Sequence, residues 1–187
     1  MKIRFIGIDP GKDGGISCID ELGRPVGFSC SPRLGEKEFD TTGMAKLLYG
    51  YTSDCDFFVV GLEDIHATTV GGNTGSFTMG RGKGIWEGII SMYSLAVPGK
   101  FRLILPTPGR WQKGVWEDTY IQYEKKPENK SKTVNTKATS LLVCTHLFQG
   151  IDLRKSKLAR NPHDGIVDSL LIAEYCRRQY LQESGRN

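Results

Sequence analysis

Apolar positions recur with two different spacings along the chain, and the switch between them lays out the expected elements. Residues 2–8, 15–19 and 26–30 are short strand-like runs separated by Gly-rich or Gly-Arg-Pro turn sequence, which predicts an antiparallel meander. Residues 42–51 read as a helix that Asp40, Thr41 or Thr42 can cap, and the run Asp56-FFVVGLE-Asp64 is apolar enough for a central strand covered on both faces. Strands and helices then alternate: a loop over 68–75, a helix over 77–95 despite its glycines, a buried strand over 101–105 and a short helical turn over 109–114. The polar, Pro-broken stretch 124–137 predicts a mobile basic loop, followed by a helix over 137–148 and a loop over 152–161. The final helix is expected to follow with Asn161 as its cap and Pro162 in its first turn. The pattern is that of an α/β chain, a mixed sheet with covering helices.

Composition narrows the classes. The 187 residues, 39% hydrophobic and 25% charged, suit one domain with its own core, spanning 1–187, and exclude a large two-domain enzyme. The five cysteines form no C-x-x-C pair and only three histidines could join them, so a structural zinc site is not expected and a reducing compartment is. The start, MKIRFIGIDPG, goes straight into strand-like sequence, and no apolar run approaches the roughly 20 residues of a membrane span. A soluble, cytoplasmic protein with no membrane partner is the expectation.

Three acidic landmarks carry the candidate chemistry. Asp9 ends the first strand in Gly7-Ile8-Asp9-Pro10-Gly11, where an acid before Pro-Gly also fits a plain turn. Glu63 ends the central strand in Gly61-Leu62-Glu63, repeating the order glycine, apolar, acid. Period two places each glycine on the face of its acid, a gap through which a phosphate or metal could approach, although glycine in a strand can equally mark a bulge. The third landmark is the final helix. Asp164 and Asp168 are one turn apart and share a sector with Leu171, so both are expected to face the core side. Asp164 could simply complement the helix dipole. Asp168 lies beyond the first turn amid Val167, Leu170 and Leu171, with no Lys or Arg three or four residues away, and a carboxylate there must be protonated, paired or metal-bound. Four converging carboxylates would make an all-oxygen site for a hard divalent cation such as Mg²⁺ or Mn²⁺, whose natural use is chemistry at phosphate.

The segments IGIDPGKDGG, GLEDIHA and HDGIVDSLLIAEYCRR, in this order, resemble the RuvC-like Holliday junction resolvases of the RNase H-like superfamily, and the ending looks especially like bacteriophage-encoded and plant-organellar members. The resemblance spans residues 3–178. It implies an RNase H-like mixed five-stranded sheet with helices on both faces, and a homodimeric, Mg²⁺-dependent endonuclease that binds branched DNA and resolves four-way junctions by paired nicks. Mn²⁺ would also support activity. By motif position Asp9, Glu63, Asp164 and Asp168 would be the catalytic, metal-binding carboxylates, with His163 competing with Asp164. A bacterial cytoplasm is implied, with a phage-encoded source open.

The resemblance also suggests DNA contacts. Arg81 and Lys83, in Met79-GRGKGI-Trp86, resemble the start of the family's long helix, where the neutral alternative is close packing through Gly80, Gly82 and Gly84. His66 stands where many bacterial relatives carry a junction-wedging aromatic. Phe77 is a second wedge candidate, or a core residue, and Lys137 is the nearest match to a lysine near the scissile phosphate in organellar relatives. Charge placement agrees. Residues 124–160 carry nine Lys or Arg and three acids, a net +6, whereas the rest of the chain nets −2. Lys155 and Lys157 are the candidates there for phosphate contact, with a merely solvated loop as the alternative. Trp111, Trp116 and Tyr120 are read as packing aromatics. Competing classes are an RNase H-like nuclease acting on RNA or an RNA–DNA hybrid, and a non-catalytic junction-binding module. The Asp9-Pro10-Gly11-Lys12 turn also faintly resembles an actin-like ATPase phosphate loop, but such enzymes need a second lobe for which there is no room.

Overall fold

A computed structural model describes residues 1–35, 38–65, 72–125 and 132–185. Five strands form the main sheet in the order β3-β2-β1-β6-β7: β1 (Ile3–Asp9), β2 (Gly15–Asp20), β3 (Pro25–Cys30), β6 (Phe57–Leu62) and β7 (Phe101–Ile104). The first three are the expected antiparallel meander; β6 pairs with β1 in parallel and β7 with β6 in parallel. Two-residue strands β4 (Arg33–Leu34) and β5 (Glu38–Phe39) pair separately. This is the RNase H-like mixed five-stranded sheet.

Helices cover both faces. On one lie α1 (Thr41–Thr52) and α2 (Gly72–Ala96), whose Met44, Leu48, Trp86 and Ile90 pack on Ile6, Ile8, Val60 and Leu62. Asp40 caps α1 by accepting the Gly43 amide at 2.9 Å. On the other face are α3 (Pro108–Val115), α4 (Thr136–Leu147) and α5 (Asp164–Glu183), which bury Trp111, Val143, Ile166, Leu170 and Leu171 against Ile3, Phe5 and Val59.

The strand glycines have a different use from the expected one. A Cβ on Gly7 would run into the Ser169 carbonyl and the Ala173 amide, and one on Gly61 into the Cys176 sulfur. Helix α5 itself fills the gap, so no ligand reaches the sheet there. Small residues let it settle close enough for the Ser17 and Ser169 hydroxyls to lie 2.5 Å apart.

Several boundaries differ from the sequence reading. Helix α2 starts at Gly72, inside the expected 68–75 loop, whose residues up to 71 lie outside the described ones. Strand β7 is a half-buried edge strand rather than a buried one, because among the described residues only β6 pairs with it. The expected 124–137 loop has paired ends: β8 (Tyr123–Lys125) runs antiparallel to β9 (Lys132–Val134), and Asn135 donates to the Glu124 carboxylate at 2.8 Å. Asn161 and Pro162 stay outside α5. Its cap is His163, whose own amide is taken by the carbonyl of the buried Leu153 at 2.8 Å, which delays the first turn.

Candidate active site

Strand register builds the site. Because β1 and β6 are parallel neighbours with Ile8 beside Leu62, their next residues, Asp9 and Glu63, emerge side by side, and the Glu63 amide donates to the Ile8 carbonyl at 3.0 Å. Both side chains leave on the face of Gly7 and Gly61, the face that α5 covers. Asp168, in the second turn of α5, completes the group from above.

The three acids are coupled. Burial is the main cause that lifts Asp9 from its ordinary 3.8 to about 6, opposed by the Gly11 amide, which donates to Oδ1 at 2.9 Å, and reinforced by the charges of Asp13 and Asp164. Burial, then the charge of Asp9, raises Glu63 from 4.5 to about 7, against a hydrogen bond from Trp111. Asp168 rises from 3.8 to about 8, again first by burial, then by Asp9 and Glu63, with the nearby Ser140 hydroxyl pulling the other way. Each acid thus feels its neighbours through partly desolvated space, as the sequence reading expected of Asp168.

Asp164 is a correction. It is the first residue of α5 and points outward, exposed, in an ion pair with Lys137 at 2.6 Å, so it does not face the core with Asp168. One turn separates the two acids, but the helix start sits at the rim, where the chain has only just left the loop. His163 is half-buried with its Nδ1 atom unbonded, and burial lowers its pKa.

Among the described residues, no group of three or more His, Cys, Asp or Glu side chains stands close enough together to hold a metal ion as placed. The donor chemistry nevertheless fits a hard divalent cation. Carboxylate oxygens from two strands and a helix, each driven toward the protonated form by burial and then by the charge of nearby acids, are the donors such a cation takes, and nearby positive charge would relieve them.

The expected DNA contacts separate into groups. Phe77 is 70% exposed and not in the core. Arg81 pairs with Glu38 at 2.6 Å, and Lys83 with Asp64 and, at 3.6 Å, Glu87. Of the nearby glycines only Gly82 packs closely, against the Pro10 carbonyl and Phe39; Gly80 and Gly84 are open to solvent. Lys155 and Lys157 are exposed, in the loop leading into α5. His66 lies outside the described residues. Trp111 and Trp116 pack edge to face at 6.4 Å, as expected of packing aromatics. What the sequence reading missed is the polar end of Trp111: its indole N–H donates to Glu63 Oε1 at 2.7 Å. Ser140 was missed in the same way, and neither position carries a periodicity or spacing signal that would have pointed to an acid.

No protein-family model matches the chain, and neither does any curated protein. Among solved structures the chain is similar to T. thermophilus RuvC in complex with Holliday junction substrate, with a TM-score of 0.53 and 12% identity over 100% of this chain and 98% of that one. The likeness is one of fold, RuvC-like and RNase H-like, and does not bear on a bacteriophage or plant-organellar subgroup. Among the described residues no helix is long and apolar enough to cross a membrane.

Proposed function

We propose that this chain is a metal-dependent, structure-selective DNA endonuclease that resolves four-way junctions by paired hydrolytic nicks. The observation that carries the reading is the trio Asp9, Glu63 and Asp168, three mutually coupled, desolvated carboxylates on rigid elements of a RuvC-like fold. Asp9, Glu63 and Asp168 would hold Mg²⁺, or Mn²⁺ in its place, with Asp164 joining from the rim when it exchanges its Lys137 partner. Bound there, divalent ions supply an activated water and neutralise charge on the leaving oxygen. Lys137, freed from Asp164, is then available to a phosphate.

Binding in this reading is shared between backbone neutralisation by Lys155 and Lys157, phosphate competition for Arg81 and Lys83, and Phe77 set against exposed bases at the branch. The homodimer we propose has its surface on α1 and α2. Leu48, Ile89, Met92, Tyr93 and Ala96 line an uncharged groove there, Leu95 is 76% exposed beside it, and a 25-residue helix is long enough to cross its own copy about a two-fold axis. A bacterial cytoplasm is the compartment that goes with this substrate.

The test is cleavage of a synthetic four-way junction beside linear duplex, RNA and an RNA–DNA hybrid, with and without Mg²⁺. Paired, Mg²⁺-dependent nicks confined to the junction are expected. Preferential cleavage of RNA or hybrid would transfer the same site to a different substrate, and junction binding without nicking would make the chain a binding module.

A further inference from the structure

The three tryptophans are all largely removed from solvent, yet their indole nitrogens are treated differently. Those of Trp86 and Trp116 are buried without a hydrogen bond, whereas that of Trp111, on a residue 1% exposed, meets the Glu63 carboxylate at 2.7 Å. Burial in this protein therefore does not by itself force an indole into partnership. A donor fixed on one carboxylate oxygen restricts rotation of the carboxyl group and leaves the other oxygen to a further partner.

Helix α3, which carries Trp111, is only eight residues long and takes its position from α5. The Tyr175 ring sits where a side chain at Gly114 would go. Arg178 donates from Nη1 to the Gly114 carbonyl at 3.2 Å and from Nε to Glu174 at 2.8 Å, and Glu174, 4% exposed, is held from its other oxygen by Arg177 at 2.7 Å. The helix that bears Asp168 thus also clamps, ten residues or about 15 Å further along its axis, the element that grips Glu63.

We propose that Trp111 is a positioning residue for Glu63, and that Arg178 acts through it from outside the site by bracing α3. Resting on the nuclease reading above, this adds a route by which α5 sets the relative placement of two candidate metal ligands, one directly and one through α3. It also distinguishes Trp111 from a residue that only fills the core. A shape-filling role needs the indole volume; positioning needs its N–H.

The experiment replaces Trp111 in the full chain by 3-benzothienylalanine, which keeps the ring shape and puts sulfur in place of N–H, and makes Arg178→Met separately. Mn²⁺ affinity is measured by calorimetry, junction nicking is resolved into kcat and KM, and junction affinity is measured in Ca²⁺. Expected for the isostere are roughly 10-fold or greater weakening of Mn²⁺ binding and loss of kcat, with KM and junction affinity unchanged. Arg178→Met should shift the same two quantities in the same direction by less, with Arg178→Lys restoring part of the loss. Wild-type Mn²⁺ affinity and kcat in the isostere would overturn the proposal while leaving the nuclease reading in place. Absence of Mn²⁺ binding and nicking in the unmodified protein would instead remove the reading beneath it.

Discussion

Asp9 and Glu63 stand side by side because Ile8 and Leu62 are paired on adjacent parallel strands, and this adjacency, closed over by Asp168, is the electrostatic centre of the molecule. It has a direct consequence for stability. The three acids have folded-state pKa values of about 6, 7 and 8, all above their ordinary values, so the folded protein binds more protons than the unfolded chain between those limits. Their contribution to stability is fully present below the unfolded pKa values, near pH 4, and is lost as pH rises toward 8. Asp168→Asn should therefore stabilise the metal-free protein at about pH 8, by roughly 1–2 kcal/mol as for other relieved active-site acids, and have little effect at about pH 5. Thermal unfolding in chelator at the two pH values checks this; a destabilised variant at pH 8 would contradict it.

The close seat of α5 predicts unequal costs for two alanines. Gly7→Ala meets backbone, at the Ser169 carbonyl and Ala173 amide, and should cost about 3 kcal/mol or more. Gly61→Ala meets side-chain atoms of Cys176 and Ile172, which can shift, and should cost less, about 1–3 kcal/mol. Denaturant unfolding of the two variants gives the comparison.

These glycines also mark the limit of what the residues disclose. Period two correctly put Gly7 with Asp9 and Gly61 with Glu63, and the two acids do share a face, but the alternation cannot say whether a ligand or a helix fills the space beside a glycine. The meander, the central strand and the capped α1 were legible because each rests on local pattern. Asp164 was misplaced because helical periodicity gives an angle, whereas exposure depends on where the helix starts, and that was set by the distant Leu153 carbonyl. Trp111 and Ser140 were illegible as partners of the acids, since their contacts arise only when α3 and α4 dock on the sheet and on α5.

If Lys155 and Lys157 neutralise phosphates, replacing both by Ala should weaken junction binding broadly and flatten the plot of log affinity against log salt by about 0.9 for each phosphate left unneutralised. Binding titrations over a range of salt measure the slope. An unchanged slope would put these side chains away from DNA.

The groove on α1 and α2 predicts that Met92→Glu, at a residue 69% exposed and thus tolerant of the change in a monomer, converts a dimer to a monomer without unfolding it. Sedimentation velocity on wild type and variant decides. A wild-type monomer at all concentrations, or an unaffected dimer, would remove the groove as the interface.

Nicking of a four-way junction by wild type, Asp9→Asn and Asp168→Asn, with junction binding followed in parallel in Ca²⁺, tests whether these half-buried carboxylates are the catalytic centre. Expected are Mg²⁺-dependent cleavage by the wild type, a loss of at least about 100-fold in both variants, and retained binding throughout. Full cleavage by either variant would contradict the assignment.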